Sequence, residues 1–140
     1  MSDRVLITDA GFGPVDPAER YLGLADLVAA PGAQRVDLGP ETDPAALGPD
    51  LARIQAIRIA FPAVSDGRGF TLARTLRRMG FTGRLRAAGQ LIPEQYPMTR
   101  ACGFDEVEID ADRARRQPEA DWRAAARRQG YLARLRRPAA

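Results

Sequence analysis

Histidine, lysine and asparagine are absent from this 140-residue chain, and cysteine and tryptophan occur once each. Without an imidazole there is no Ser-His-Asp or Cys-His pair, because that ring is the usual base that activates such nucleophiles. Without lysine there is neither Schiff-base chemistry nor the lysine of a phosphate-binding P-loop. A single thiol, Cys102, cannot by itself ligate an iron–sulfur cluster or a structural zinc ion, so no metal and no cofactor is expected. No run approaches the ~20 apolar residues of a membrane span. Met1-Ser2-Asp3-Arg4 lacks the basic head and apolar stretch of a signal peptide, which makes the cytoplasm the expected compartment.

What is present is 45% hydrophobic and 28% charged, and all 21 basic residues are arginine. That suits one domain with a sizeable core, and two would be a squeeze. The net charge of +3 conceals two unlike parts. Residues 1–112 hold 12 arginines against 16 acids, a balance of −4, whereas 113–140 hold nine against Glu119 and Asp121, a balance of +7. We therefore read 1–112 as the folded domain and 113–140 as an arginine-rich tail or helix.

Val5-Leu6-Ile7-Thr8 is a short β-branched strand that ends in the turn formers Asp9, Gly11 and Gly13. Asp16-Pro17 predicts a helix start, with Tyr21, Leu24, Ala25 and Val28 at helical spacing up to Ala30. Arg35–Leu38 reads as a strand, and Asp43-Pro44 opens a second helix that holds Leu47 and Leu51. From Ala56 to Ile109 the pattern is βαβαβ: strand Ala56–Phe61, helix Phe70–Met79, strand Leu85–Ala88, helix Pro93–Cys102, strand Glu106–Ile109. Both helices end in a Gly-Phe pair, Gly80-Phe81 and Gly103-Phe104. The glycine closes the last turn in a left-handed conformation and the phenylalanine packs back on it. The expected architecture is a single small α/β domain with a mostly parallel sheet built from βα repeats, followed by a basic C-terminal helix over Glu119–Arg136. Trp122 would anchor that helix.

Asp66-Gly67-Arg68-Gly69 joins a strand to a helix, at the edge where open parallel sheets bind ligands. Gly67 and Gly69 would admit an anion to the backbone, Arg68 would fork onto an oxyanion, and Asp66 would cap the helix or act as a base. Gly67-x-Gly69 is not a dinucleotide fingerprint, because Leu72 stands where the third glycine belongs and no acid follows the next strand. Arg86 lies inside a strand and, if buried, needs a carboxylate or a ligand there. Arg100 is a further candidate for the anion, and Asp110 a second candidate base. In the tail, Trp122, Arg123, Arg127 and Arg128 are candidates for partner binding. Too few aromatics accompany the arginines to favour nucleic acid.

From Val36 to Asp110 the sequence resembles a bacterial family of unknown function linked to oxidoreduction in sulfite metabolism. The residues that carry the resemblance are Leu47-Gly48-Pro49-Asp50-Leu51, Ile59-Ala60-Phe61-Pro62, Asp66 to Arg74, Gly83-Arg84-Leu85-Arg86-Ala87 and Arg100 to Asp105. The resemblance implies a place in assimilatory sulfite reduction, with sulfite reductase as partner. This chain lacks the ligands for the haem and cluster of such a reductase and would be an accessory to it, binding an oxyanion or the reductase at the 66–69 loop. The family's Gly-Asp after the second motif strand is Gly89-Gln90 here, and its Asp-Gln in the next helix is Glu94-Gln95. A stand-alone enzyme using an aspartate base with Arg68, and a module that acts through the arginine tail, are the rival readings.

Overall fold

The computed structural model describes residues 4–136; the reading of Met1-Ser2-Asp3 and the last residues of the tail, 137–140, lie outside the described residues. Seven strands form one sheet: β1 Arg4–Thr8, β2 Gly11–Pro14, β3 Leu22–Gly23, β4 Gln34–Leu38, β5 Ile54–Phe61, β6 Arg84–Gly89 and β7 Glu106–Asp110. Their spatial order is β2-β1-β7-β6-β5-β4-β3. The run from β3 to β7 is parallel, while β1 lies antiparallel to both β2 and β7. This is a single α/β domain.

Strands β4 to β7 sit side by side in chain order, so right-handed crossovers in one direction put every connection on the same face. That face is apolar. Ile57, Ile59 and Phe61 alternate along β5, Leu85 and Ala87 along β6, Val107 and Ile109 along β7, and all are buried in one core. Covering it are 3₁₀ turns over Pro44–Arg53, helix α2 Arg68–Arg78, a 3₁₀ turn Pro93–Gln95 running into α3 Tyr96–Ala101, and α5 Glu119–Arg136. Asp43 caps the 3₁₀ segment by accepting from the Ala45 amide at 3.0 Å.

Both Gly-Phe stops form as the sequence implies. Gly80 and Gly103 have φ of +100° and +110°. The Phe81 amide donates to Leu76 O at 3.1 Å and the Phe104 amide to Thr99 O at 3.2 Å, which closes the same motif at both helix ends.

Three segments differ from expectation. Residues 17–30 do not form one helix: Asp16 caps only a turn at Ala18, Leu22-Gly23 becomes the edge strand beside β4, and α1 is reduced to Leu24–Leu27. Tyr21 is drawn onto the sheet instead, and Val28, placed on the apolar face of the predicted helix, is 78% exposed. Gly11-Phe12-Gly13-Pro14, read as a loop, pairs with β1 as a hairpin. Residues 111–116, for which no element was expected, form a further helix, α4 Ala111–Arg116, with the Asp110 carboxylate accepting from the Arg113 amide at 2.7 Å.

The core continues past residue 112. Ala114, Trp122, Ala125 and Ala126 belong to it, and the Trp122 indole packs edge-on against Tyr96 and donates from Nε1 to Gln117 O at 2.9 Å. Trp122 thus anchors α5 as expected. Beyond Ala126 no described residue of the helix is buried.

Candidate functional site

Among the described residues the opposite face of the sheet carries no helix. Period-two alternation places Asp37, Arg58, Arg84, Arg86, Glu106, Glu108 and Arg4 on it, and strand register puts Asp37, Arg58, Arg86 and Glu106 in one row across β4, β5, β6 and β7. Parallel sheets are ordinarily covered on both faces. Here residues 15–21 cross the polar face as a strap from the β2 edge to the β3 edge, and charge pairing satisfies most of this face, while the buried Tyr21 hydroxyl and Arg35 Nε have no hydrogen-bond partner among the described residues.

Arg86, only 1% exposed, spends its guanidinium on three carboxylates. Its Nε donates to Glu106 at 2.6 Å, Nη1 to Glu108 at 2.8 Å and Nη2 to Glu19 of the strap at 3.0 Å. Arg84 also reaches Glu19, at 3.2 Å. Arg58 grips Asp37 through two bonds of 2.6 and 2.8 Å and reaches Glu108 at 3.2 Å. Arg4 donates to the other Glu108 oxygen at 2.9 Å. The Tyr21 ring lies 4.3 Å from the Arg58 guanidinium and 5.5 Å from that of Arg86. Burial works against the Glu108 charge, but the Arg86 hydrogen bond and the Arg58 charge outweigh it and hold its carboxyl below the ordinary value. Arg58 is held above its ordinary range, chiefly by its hydrogen bonds to Asp37.

Of the sequence candidates, the structure brings only Arg86 to this face. The 66–69 loop sits beyond the end of β5 and folds on itself. Arg68 donates to the two Asp66 oxygens at 2.9 and 2.6 Å, and the Asp66 carboxylate also accepts from the Arg68 amide at 3.2 Å. Those hydrogen bonds hold Asp66 below the usual carboxylate range, the wrong direction for a base at neutral pH. Gly69 has a packing reason: a Cβ there would stand 2.5 Å from the Phe61 ring. Gly67 is roomy, with Phe70 3.9 Å from the place of a Cβ. Arg68 itself is exposed and borders a cavity of about 370 Å³ with Thr42, Thr71 and Thr75.

Arg100 lies at the other end of the sheet, because α3 returns the chain to the start of β7. There it donates to both Asp9 oxygens at 3.1 Å and to Phe104 O at 2.6 Å, and the Tyr96 hydroxyl donates to Asp9 at 2.5 Å. Arg68 and Arg100 are thus on opposite edges. Asp110 caps α4, and Arg113 from that helix donates to Gln90, the position where the resembled family has a carboxylate. Burial pushes the Cys102 thiol up, which keeps it protonated. Among the described residues no group of three or more Cys, Asp or Glu is placed to hold a metal ion. No helix among them is long and apolar enough to cross a membrane.

On α5, Trp122 is buried and Arg123 pairs with Glu119 at 3.0 Å, whereas Arg127 and Arg128 are exposed. Sequence reasoning missed Arg4, Glu19, Asp37, Arg58, Glu106 and Glu108. Its one available signal was the repeated spacing Arg84-x-Arg86 and Glu106-x-Glu108, which puts like charges on a single face of each strand.

A family model described as bacterial protein of unknown function (DUF934) matches residues 35–138, which takes in the sheet from β4 onward and all of α5 described here. No curated protein matches the chain.

Proposed function

The chain belongs to this bacterial family of unknown function, and from that premise we propose that it is a cytoplasmic accessory protein of assimilatory sulfite reduction which engages the sulfite reductase through the outer half of α5. The observation that carries the reading is the state of that half-helix. Arg128, Tyr131, Leu132 and Leu135 fall at i, i+3, i+4 and i+7, and Tyr131 and Leu135 are 55% and 64% exposed. Arg127, Arg128, Arg134 and Arg136 form no ion pair among the described residues, although 14 such contacts are found elsewhere among them. An apolar stripe flanked by unpaired cations suits an acidic-rimmed groove on a protein. Tyr131 alone offers a base a ring to stack on, which disfavours nucleic acid.

The test is co-elution of the full chain with the sulfite reductase of the same organism. Arg127→Glu combined with Arg128→Glu should abolish the complex, and Tyr131→Ala with Leu135→Ala should weaken it, with binding of the unmodified chain falling as salt rises. A complex that survives both double substitutions moves the contact to the body of the domain, and no complex at all refutes the reading.

A second reading places sulfite at Arg68, whose guanidinium is bonded to Asp66 yet exposed, beside a cavity lined by Thr42, Thr71, Thr75 and Glu41. Binding of sulfite there would raise the thermal midpoint of the chain, and Arg68→Ala would remove that rise. An unchanged response takes Arg68 out of the site.

A further inference from the structure

The strap covers only part of the polar face and leaves a hollow of about 530 Å³ lined by Arg4, Asp37, Leu38, Gly39, Arg58, Ala60, Ala88 and Glu108. The hollow follows from the sequence of each strand. One row across the sheet is Asp37, Arg58, Arg86 and Glu106, and in the next row Ala60 and Ala88 stand side by side, with Ala88 beside Glu108. A step from long charged side chains to methyl groups makes a depression. It lies at the carboxyl ends of parallel strands, where such sheets take their ligands.

Its charges alternate. Asp37 meets Arg58 at 2.6 Å, Arg58 meets Glu108 at 3.2 Å, and Glu108 meets Arg4 at 2.9 Å, a row of minus, plus, minus, plus along the rim. A bare anion would be set against Asp37 and Glu108, and a bare cation against Arg4 and Arg58. A molecule that carries both charges a few ångströms apart meets an opposite charge at each end. Glu108 is buried and fixed by three guanidiniums, so the row is held in place before any ligand arrives.

We propose that this hollow binds a small zwitterion of the free α-amino-acid class, its carboxylate against Arg58, its ammonium against Asp37, and its side chain over Ala60 and Ala88. The site is separate from α5 and does not depend on docking there. A second copy of the chain would also satisfy an alternating row, but two facing depressions would leave both empty, and a small molecule fills one.

The experiment is titration of the full chain with L-alanine and L-serine, followed by backbone amide shifts, with acetate, methylammonium and sulfate as single-charge controls. The amino acids should shift the amides of Gly39, Ala60 and Ala88 saturably, and each control should bind at least about tenfold more weakly. Ala60→Leu fills the hollow from an exposed position without touching a charge, and it should weaken amino-acid binding by about tenfold or more while the thermal midpoint holds. The proposal fails if neither amino acid shifts these amides by about 10 mM, if sulfate binds the same amides as tightly, or if Ala60→Leu binds unchanged. A molar mass twice that of the chain, lost on Ala60→Leu, would instead make this face an interface between copies.

Discussion

Glu108 joins three arginines from three different strands, and its removal should be felt more than that of any other surface-facing acid. Glu108→Gln would remove the one carboxylate that Arg4, Arg58 and Arg86 share, but Arg86 keeps Glu106 and Glu19, so the loss should stay below the about 3–5 kcal/mol of a buried charge left unpaired. The pH dependence follows from the same contacts. A carboxyl held below its ordinary value near 4.5 stabilises the fold fully above that value and loses the contribution as pH falls through the lowered one. The unmodified chain should therefore lose stability steadily below about pH 4.5, and Glu108→Gln should flatten that decline in urea melts taken across the range. Gly69→Ala is a separate test of packing. Its Cβ would press on a Phe61 ring already wedged between Phe70 and Phe104 at 5.0 and 5.8 Å, so a loss of about 1–3 kcal/mol is expected in the same melts. If Gly69 serves only to admit a ligand, Gly69→Ala will leave stability unchanged.

Among the elements, α5 divides at Ala126 into an inner half that belongs to the core and an outer half that does not. Trp122→Ala should cost about 3–5 kcal/mol, since it empties a fully buried indole site against Tyr96. A chain ending at Gln129 should melt close to the full chain, and one ending at Asp112 should melt far lower; equal midpoints for the two would deny the inner half its place in the core. The same elements show what the sequence could and could not reveal. The stretch from Ile54 to Asp110 was legible because its strands alternate at period two and its helices stop at glycines that only a left-handed turn explains. The helix expected over 17–30 does not form: Tyr21 lies on two guanidiniums of the sheet instead of joining Leu24 and Val28 on a helix face, a long-range contact that local propensity does not encode. The polar ladder was out of reach for a different reason: its members meet only once strand order is known, and Arg4 and Glu108 are 104 residues apart.

The whole molecule is a sheet wound in one direction, helices on one side and a charged row on the other, with its ends blunted. The β3 edge is two residues long, and the β2 edge ends in Pro14 and has its Phe12 amide taken by Glu119 at 3.0 Å. Its first strand lies in the interior, between β2 and β7. During synthesis at ~5–20 residues per second, β1 must wait roughly 5–20 s for the strand it will pair with to leave the ribosome. Until then β1 has one neighbour, β2, instead of two, and Arg4 has no Glu108 to meet. Pairing of β1 with β7 therefore comes late, with only α4 and α5 still to follow from the ribosome. In pulse-labelled exchange the amides of β5 and β6 should gain protection before those of β1, and a ribosome stalled short of Asp110 should carry a chain open along one seam.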